Sequence, residues 1–213
     1  MTIASALWGF AALAAVLTLI PGLDTALVLR SSVTRTKIYA FATALGVQAG
    51  IIVWGVVTAL GATMLLAASP VAYRILAVAG SLYLIGMGAV IIRAGFRRTA
   101  SVPDDVPAFE GGPLRGLWIG LLTNLLNPKI AVFYLATLPQ FVPMGVSPLL
   151  MGVLLALVHV ILGMVWLTTV IGGGRVIART MRTPRFARWI DRIAGAVVIA
   201  FGVHLALGSL HGA

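Results

Sequence analysis

Two stretches, Leu19-Ile20-Pro21-Gly22-Leu23-Asp24-Thr25 and Thr123-Asn124-Leu125-Leu126-Asn127-Pro128-Lys129, decide how this chain folds. Each interrupts a long apolar run with a proline and a nearby charge, and Pro21 and Pro128 stand 107 residues apart. The runs they interrupt are the first and fourth of six, at residues 3–29, 39–68, 75–92, 116–141, 149–171 and 193–210. As helices rising about 1.5 Å per residue, such segments match the roughly 30 Å of a bilayer's hydrocarbon core. Their apolarity is continuous, without a period of two, which selects helices over barrel strands.

Composition agrees. Of 213 residues, 61% are apolar and 9% charged, with a mean hydropathy of +1.09. A soluble domain carries about 45–50% apolar and about 25% charged residues, so this chain lacks the polar surface to coat a water-soluble fold. Disorder, a disulfide scaffold and a secreted enzyme are excluded. Cysteine is absent, which removes thiolate catalysis and Cys-ligated metal. The expectation is an all-α integral membrane protein.

The net charge of +10 would suggest nucleic acid in a soluble domain, but in a membrane chain position comes first. Arg30, Arg35 and Lys37 lie in the first connection, and Arg93, Arg97, Arg98 and Arg115 in the third. Arg175, Arg179, Arg182, Arg185, Arg188 and Arg192 lie in the fifth. The second connection has only Arg74, the fourth and both tails have none, and Lys129 sits inside a segment. Odd connections are therefore expected in the cytoplasm and both termini outside it. The first segment reads as a retained span, since no basic residue precedes it and its run exceeds a signal-peptide core. The fifth connection reads as a basic helical face on anionic headgroups. No nucleic-acid partner is expected.

Residues 96–114, with Pro103, Asp104, Asp105, Pro107, Glu110, Gly111, Gly112 and Pro113, read as a cytoplasmic linker between two three-helix halves, 1–95 and 115–213. Three is odd, so the second half enters from the opposite face. The expected fold is six transmembrane helices as two inverted repeats, with the first and fourth helices broken. Gln48 and His159 lie 111 residues apart in the second and fifth segments, at a similar offset to the prolines. Corresponding Gly/Pro-interrupted segments in inverted halves point to a transporter's binding site.

Asp24 and Lys129 are the acid and base well inside apolar segments, where insertion costs about 2.5–3.5 kcal/mol. Structural roles exist for them: Asp24 capping a new half-helix after Pro21-Gly22, Asn127 and Pro128 as N-cap and first helical residue, or Asp24 and Lys129 neutralising each other. A half-helix start also presents free N–H groups and a positive dipole end. A zwitterionic amino acid complements this set, its ammonium on Asp24 and its carboxylate at a half-helix N-terminus near Lys129. Asn124, Asn127, Thr25 and Gln48 would add neutral hydrogen bonds, and His159 a proton relay or a substrate contact beside its ordinary role as a hydrogen-bonded interior residue.

Pro21-Gly22-Leu23-Asp24, Gly46-Val47-Gln48-Ala49-Gly50, the Leu121–Lys129 run ending Asn127-Pro128-Lys129, and Leu138-Pro139-Gln140-Phe141 together resemble the LysE/RhtB family of amino-acid exporters, in order and spacing along essentially the whole chain. Leu23 stands where that family commonly has a second proline, a departure that implies a softer first break. The resemblance implies efflux of amino acids or relatives (basic amino acids, threonine, homoserine and its lactones) from the cytoplasm through the inner membrane, driven by the membrane potential or proton gradient.

Gly46-x-x-x-Gly50 and Gly116-x-x-x-Gly120 allow close helix packing, within one chain or in a homodimer. Trp8, Trp54, Trp118, Trp166, Trp189, Tyr39 and Tyr73 read as interfacial aromatics. His204 and His211 are too far apart for a metal pair. No triad, phosphate loop or metal motif appears, so no metal, cofactor or ATP is expected, and transport would be secondary. Two other classes stay open: a membrane enzyme acting on a lipid or small amphiphile with Asp24 as base, and a non-transporting assembly protein.

Overall fold

The computed structural model describes residues 1–20, 22–97, 111–181 and 183–211. Pro21, most of the linker with Asp104, Asp105 and Glu110, and Arg182 lie outside the described residues, as do the side chains of Arg175, Arg179, Tyr73 and His204. Among the described residues the fold is all-helical, without strands. The helices are α1 Ile3–Leu19, α2 Leu23–Thr34, α3 Lys37–Ala68, α4 Pro70–Arg97, α5 Pro113–Leu125, α6 Pro128–Thr137 (followed by a 3₁₀ turn, Leu138–Phe141), α7 Pro148–Met181 and α8 Pro184–His211.

Both expected breaks are present, and they are built alike. A residue before proline is pushed out of the helical region. Accordingly Ile20, which ends α1, has φ −70° and ψ 115°, and Asn127, ahead of α6, has φ −79° and ψ 107°. The axes turn by 54° between α1 and α2 and by 55° between α5 and α6. The bends match although Leu23 replaces the second proline, so the break residues suffice without it.

By length and apolarity, Lys37–Met64 of α3 and Pro148–Gly174 of α7 each suit a membrane crossing, and each bent pair does so as one broken span. Val78–Arg93 in α4 is a shorter apolar stretch. α7 kinks at Gly174, whose φ of 31° is left-handed backbone that favours glycine, so the apolar part ends where the arginines begin.

Helix packing crosses the middle of the sequence. The most extensive contacts are α4 on α8, α3 on α5 and α3 on α7, so residues before and after the linker interlock. Small residues make this possible. A Cβ on Gly46 would strike the Leu117 carbonyl, and one on Gly120 the Thr43 carbonyl. The two Gly-x-x-x-Gly motifs thus serve packing within this chain. Trp8, Leu45, Val57, Met64, Trp118 and Val165 are exposed, whereas Gln48, Asn124, Asn127, Thr43 and His159 are buried. Apolar outside and polar inside is the arrangement a bilayer demands.

Candidate functional site

The two breaks meet. Asp24, in the first turn of α2, accepts from Asn124 Nδ2 at 2.9 Å and Asn127 Nδ2 at 3.1 Å, both on its Oδ2. This corrects the capping role: the α2 N-cap is Gly22, which has no side chain to offer, and the Asp24 carboxylate goes to the amides of the second break. Asn127 does cap α6, its Oδ1 accepting from Lys129 N–H at 3.1 Å with Pro128 at the first helical position. One asparagine therefore both starts a half-helix and holds the acid of the other break.

Lys129 does not close on Asp24. Its Nζ donates to the carbonyls of Leu17 at 3.0 Å and Ile20 at 2.9 Å. These belong to the last turn and cap of α1, where carbonyls lose their intrahelical partners and the dipole end is negative. Of the structural roles open to Lys129, its hydrogen bonds place it as a cation on a helix C-terminus. Gly22 lies against it, since a Cβ there would come 3.1 Å from Nζ.

A cavity of about 40 Å³ opens beside these groups, lined among others by Thr18, Gly22, Asp24, Gln48, Lys129 and Gly163. A water needs roughly 10–15 Å³ on this measure, so the space holds about three. Asn127, Thr25 and His159 also line it, whereas Asn124 supports it from behind through Asp24. The buried atoms Asp24 Oδ1, Gln48 Nε2, Gln48 Oε1 and Thr18 Oγ1 have no hydrogen-bond partner in the protein. Unmet polar groups in such surroundings are costly, which makes this cavity the candidate site.

His159 is a hydrogen-bonded interior residue that also borders the cavity. Its Nδ1 lies 3.2 Å from Tyr134 Oη, and its ring stacks on Tyr134 at 5.8 Å. Phe10 and Phe133 pack around this pair, and Phe141 packs on Phe10.

Two residues at the site were read from sequence as interfacial aromatics. Trp166 lines the cavity and donates from Nε1 to Thr25 Oγ1 at 3.3 Å, and Trp54 Nε1 donates to the Asn124 carbonyl at 3.4 Å. A half-buried indole needs a partner for its N–H, and the helix breaks supply one. The available signal was spacing, since His159, Gly163 and Trp166 recur at helical period on one face of α7. Tyr39 is likewise buried, with Arg35 over its ring. Among the described residues, no group of three or more acidic or histidine side chains could hold a metal.

The model of the LysE type translocator family matches residues 15–209. The chain is similar to the threonine efflux protein of Escherichia coli K12, 30% identical over 187 residues that cover 87% of this chain and 89% of that protein. It is also similar to the threonine efflux protein of Salmonella typhi, 31% identical over 188 residues, with the same shares covered. An uncharacterized membrane protein of Pseudomonas aeruginosa, PA4757, is 31% identical over 200 residues, 90% of each chain. No solved structure matches. With its crossed helix breaks and polar interior, this chain belongs to the LysE type translocator family and is a membrane transporter rather than an enzyme.

Proposed function

We propose that the chain exports a small amino acid or close derivative from the cytoplasm across the inner membrane, as a secondary transporter. The classes in view are basic amino acids, threonine, homoserine and homoserine lactone, and the names of the threonine efflux relatives favour the second. The observation that carries the reading is the Asp24 carboxylate, fixed through Oδ2 by two asparagines while Oδ1 stays buried and unpartnered beside the cavity. That oxygen is the acceptor a substrate ammonium requires. The N-terminus of α2 at Gly22, without a side-chain cap and near Lys129, suits the carboxylate. Proton gradient or membrane potential would drive the cycle, with Asp24 as the group exchanging a proton for the ammonium.

The transport cycle rests on two inverted three-helix repeats, residues 1–95 and 115–213. Support comes from the matched bends and break dihedrals and from contact symmetry. α3 packs on α5 and α6 as α7 packs on α1 and α2, and α3·α7 and α4·α8 pair like with like. Export is tested in cells expressing the protein and loaded with dipeptides of each amino acid in turn. Accelerated release of one or a few amino acids is the expected result; release no faster than in control cells for any of them overturns the reading.

A further inference from the structure

Gln48 is a glutamine set inside the molecule with nothing in the protein to bind. It is 4% exposed, and both its Nε2 and its Oε1 lack a hydrogen-bond partner. It borders the same cavity as Asp24, facing it from α3. Opposite, on α7, residue 163 is glycine, and a Cβ there would lie 2.8 Å from Gln48 Nε2 and 2.9 Å from Oε1. Glycine at this point lets the amide lie directly against α7, where a side chain would displace it. The space is therefore bounded by an amide that offers a donor and an acceptor together, and by a missing side chain.

A substrate group facing Gln48 must answer both atoms. A carboxylate would use Nε2 and leave Oε1 unmet, and an ammonium would do the reverse. A hydroxyl does both, accepting from Nε2 and donating to Oε1. A carboxamide also matches, which makes asparagine the competitor to exclude. The charged ends of an amino acid already have their complements at Asp24 and at the Gly22–Lys129 corner, which leaves Gln48 for the side chain.

Building on the export reading above, we propose that Gln48 and Gly163 form the side-chain subsite and select an amino acid with a short hydroxyl-bearing side chain. Gln48 reads the hydroxyl, and Gly163 sets the length that fits. A site that hydrogen-bonds a substrate hydroxyl discriminates against the isostere lacking it, because its own polar groups are then left unpaired. Threonine and valine are such a pair.

The test uses cells expressing the full chain, loaded with dipeptides of threonine, valine, serine, alanine or asparagine, with export normalised to membrane protein level. The wild type is expected to export threonine well ahead of valine, and serine ahead of alanine. Gln48→Leu should lower the threonine-to-valine ratio about tenfold, the scale of a lost buried hydrogen bond, while valine export persists. Gly163→Ala should raise the serine-to-threonine ratio, because the added methyl pushes the amide into the space of the threonine methyl. An unchanged ratio in either variant, or equal loss of threonine and valine in Gln48→Leu, overturns the assignment. Asparagine exported ahead of threonine overturns the hydroxyl preference. Should Gln48→Leu fail to reach the membrane, Gly163→Ala carries the test. A wild type that exports amino acids without distinguishing threonine from valine removes this subsite alone, whereas one that exports none removes the export reading itself.

Discussion

The Lys129 ammonium donates to the Ile20 carbonyl at 2.9 Å, tying the start of one half-helix to the end of another 109 residues earlier. With its second bond to Leu17, it satisfies two carbonyls that the break in α1 frees inside an apolar bundle. Lys129→Met is thus expected to lose stability as well as export, since orphaned buried polar groups cost about 1–3 kcal/mol each. Lys129→Arg, which keeps the charge and the donors, should recover part of the loss. Apparent Tm in detergent, measured beside export, checks this: an unchanged Tm in Lys129→Met would remove the carbonyl-binding role.

Asp24 separates binding from folding more cleanly. Both asparagine amides converge on Oδ2, and the carbonyl oxygen of an asparagine at position 24 would accept both. Its NH₂ would then occupy the place of the free Oδ1 and present donors where an ammonium should bind. Asp24→Asn should therefore reach the membrane at near-normal level, keep Tm to within a few degrees, and lose most export. Export at the wild-type rate from an equal amount of protein would reduce Asp24 to scaffolding.

These pairings mark how far the sequence could be read. The helix breaks, the Asn127–Pro128 start and the glycine motifs were legible, because proline chemistry, capping and small-residue packing act within a few residues of chain. The family was legible through the same motifs. What Lys129 binds was not legible: the carbonyls of Leu17 and Ile20 become its partners only after α1 and α6 are brought together. Trp54 and Trp166 were misassigned for the same reason. A tryptophan in an apolar segment reads as interfacial until the fold puts a free carbonyl or hydroxyl within reach of its N–H. Nor did the two halves announce that they interlock through α3–α5 and α4–α8.

The charge distribution makes an independent prediction. Reporters fused after Phe141 and after Ala213 should signal from outside the cytoplasm, and one after Ala100 from within it, because basic residues crowd the odd connections. An outward signal at Ala100 would overturn the topology.

Two glycines on one face of α3 separate packing from site geometry. At Gly46 an added Cβ would meet backbone, the Leu117 carbonyl and, at 2.8 Å, the Leu121 nitrogen. Backbone cannot yield without moving α5 bodily, so Gly46→Ala should destabilise by about 1–3 kcal/mol, the usual cost of overpacking. At Gly50 the added Cβ would meet a side chain, Asn124, at 2.5 Å from Oδ1 and 2.9 Å from Cβ. That side chain can turn, which relieves the clash but withdraws its Nδ2 from Asp24 Oδ2. Gly50→Ala should consequently cost little Tm and much export, and Gly46→Ala the reverse order at equal membrane level. Thermal unfolding in detergent and export assays on both variants decide it. If Gly50→Ala exports normally, Asn124 does not need its present position, and the carboxylate's support must come from Asn127 alone.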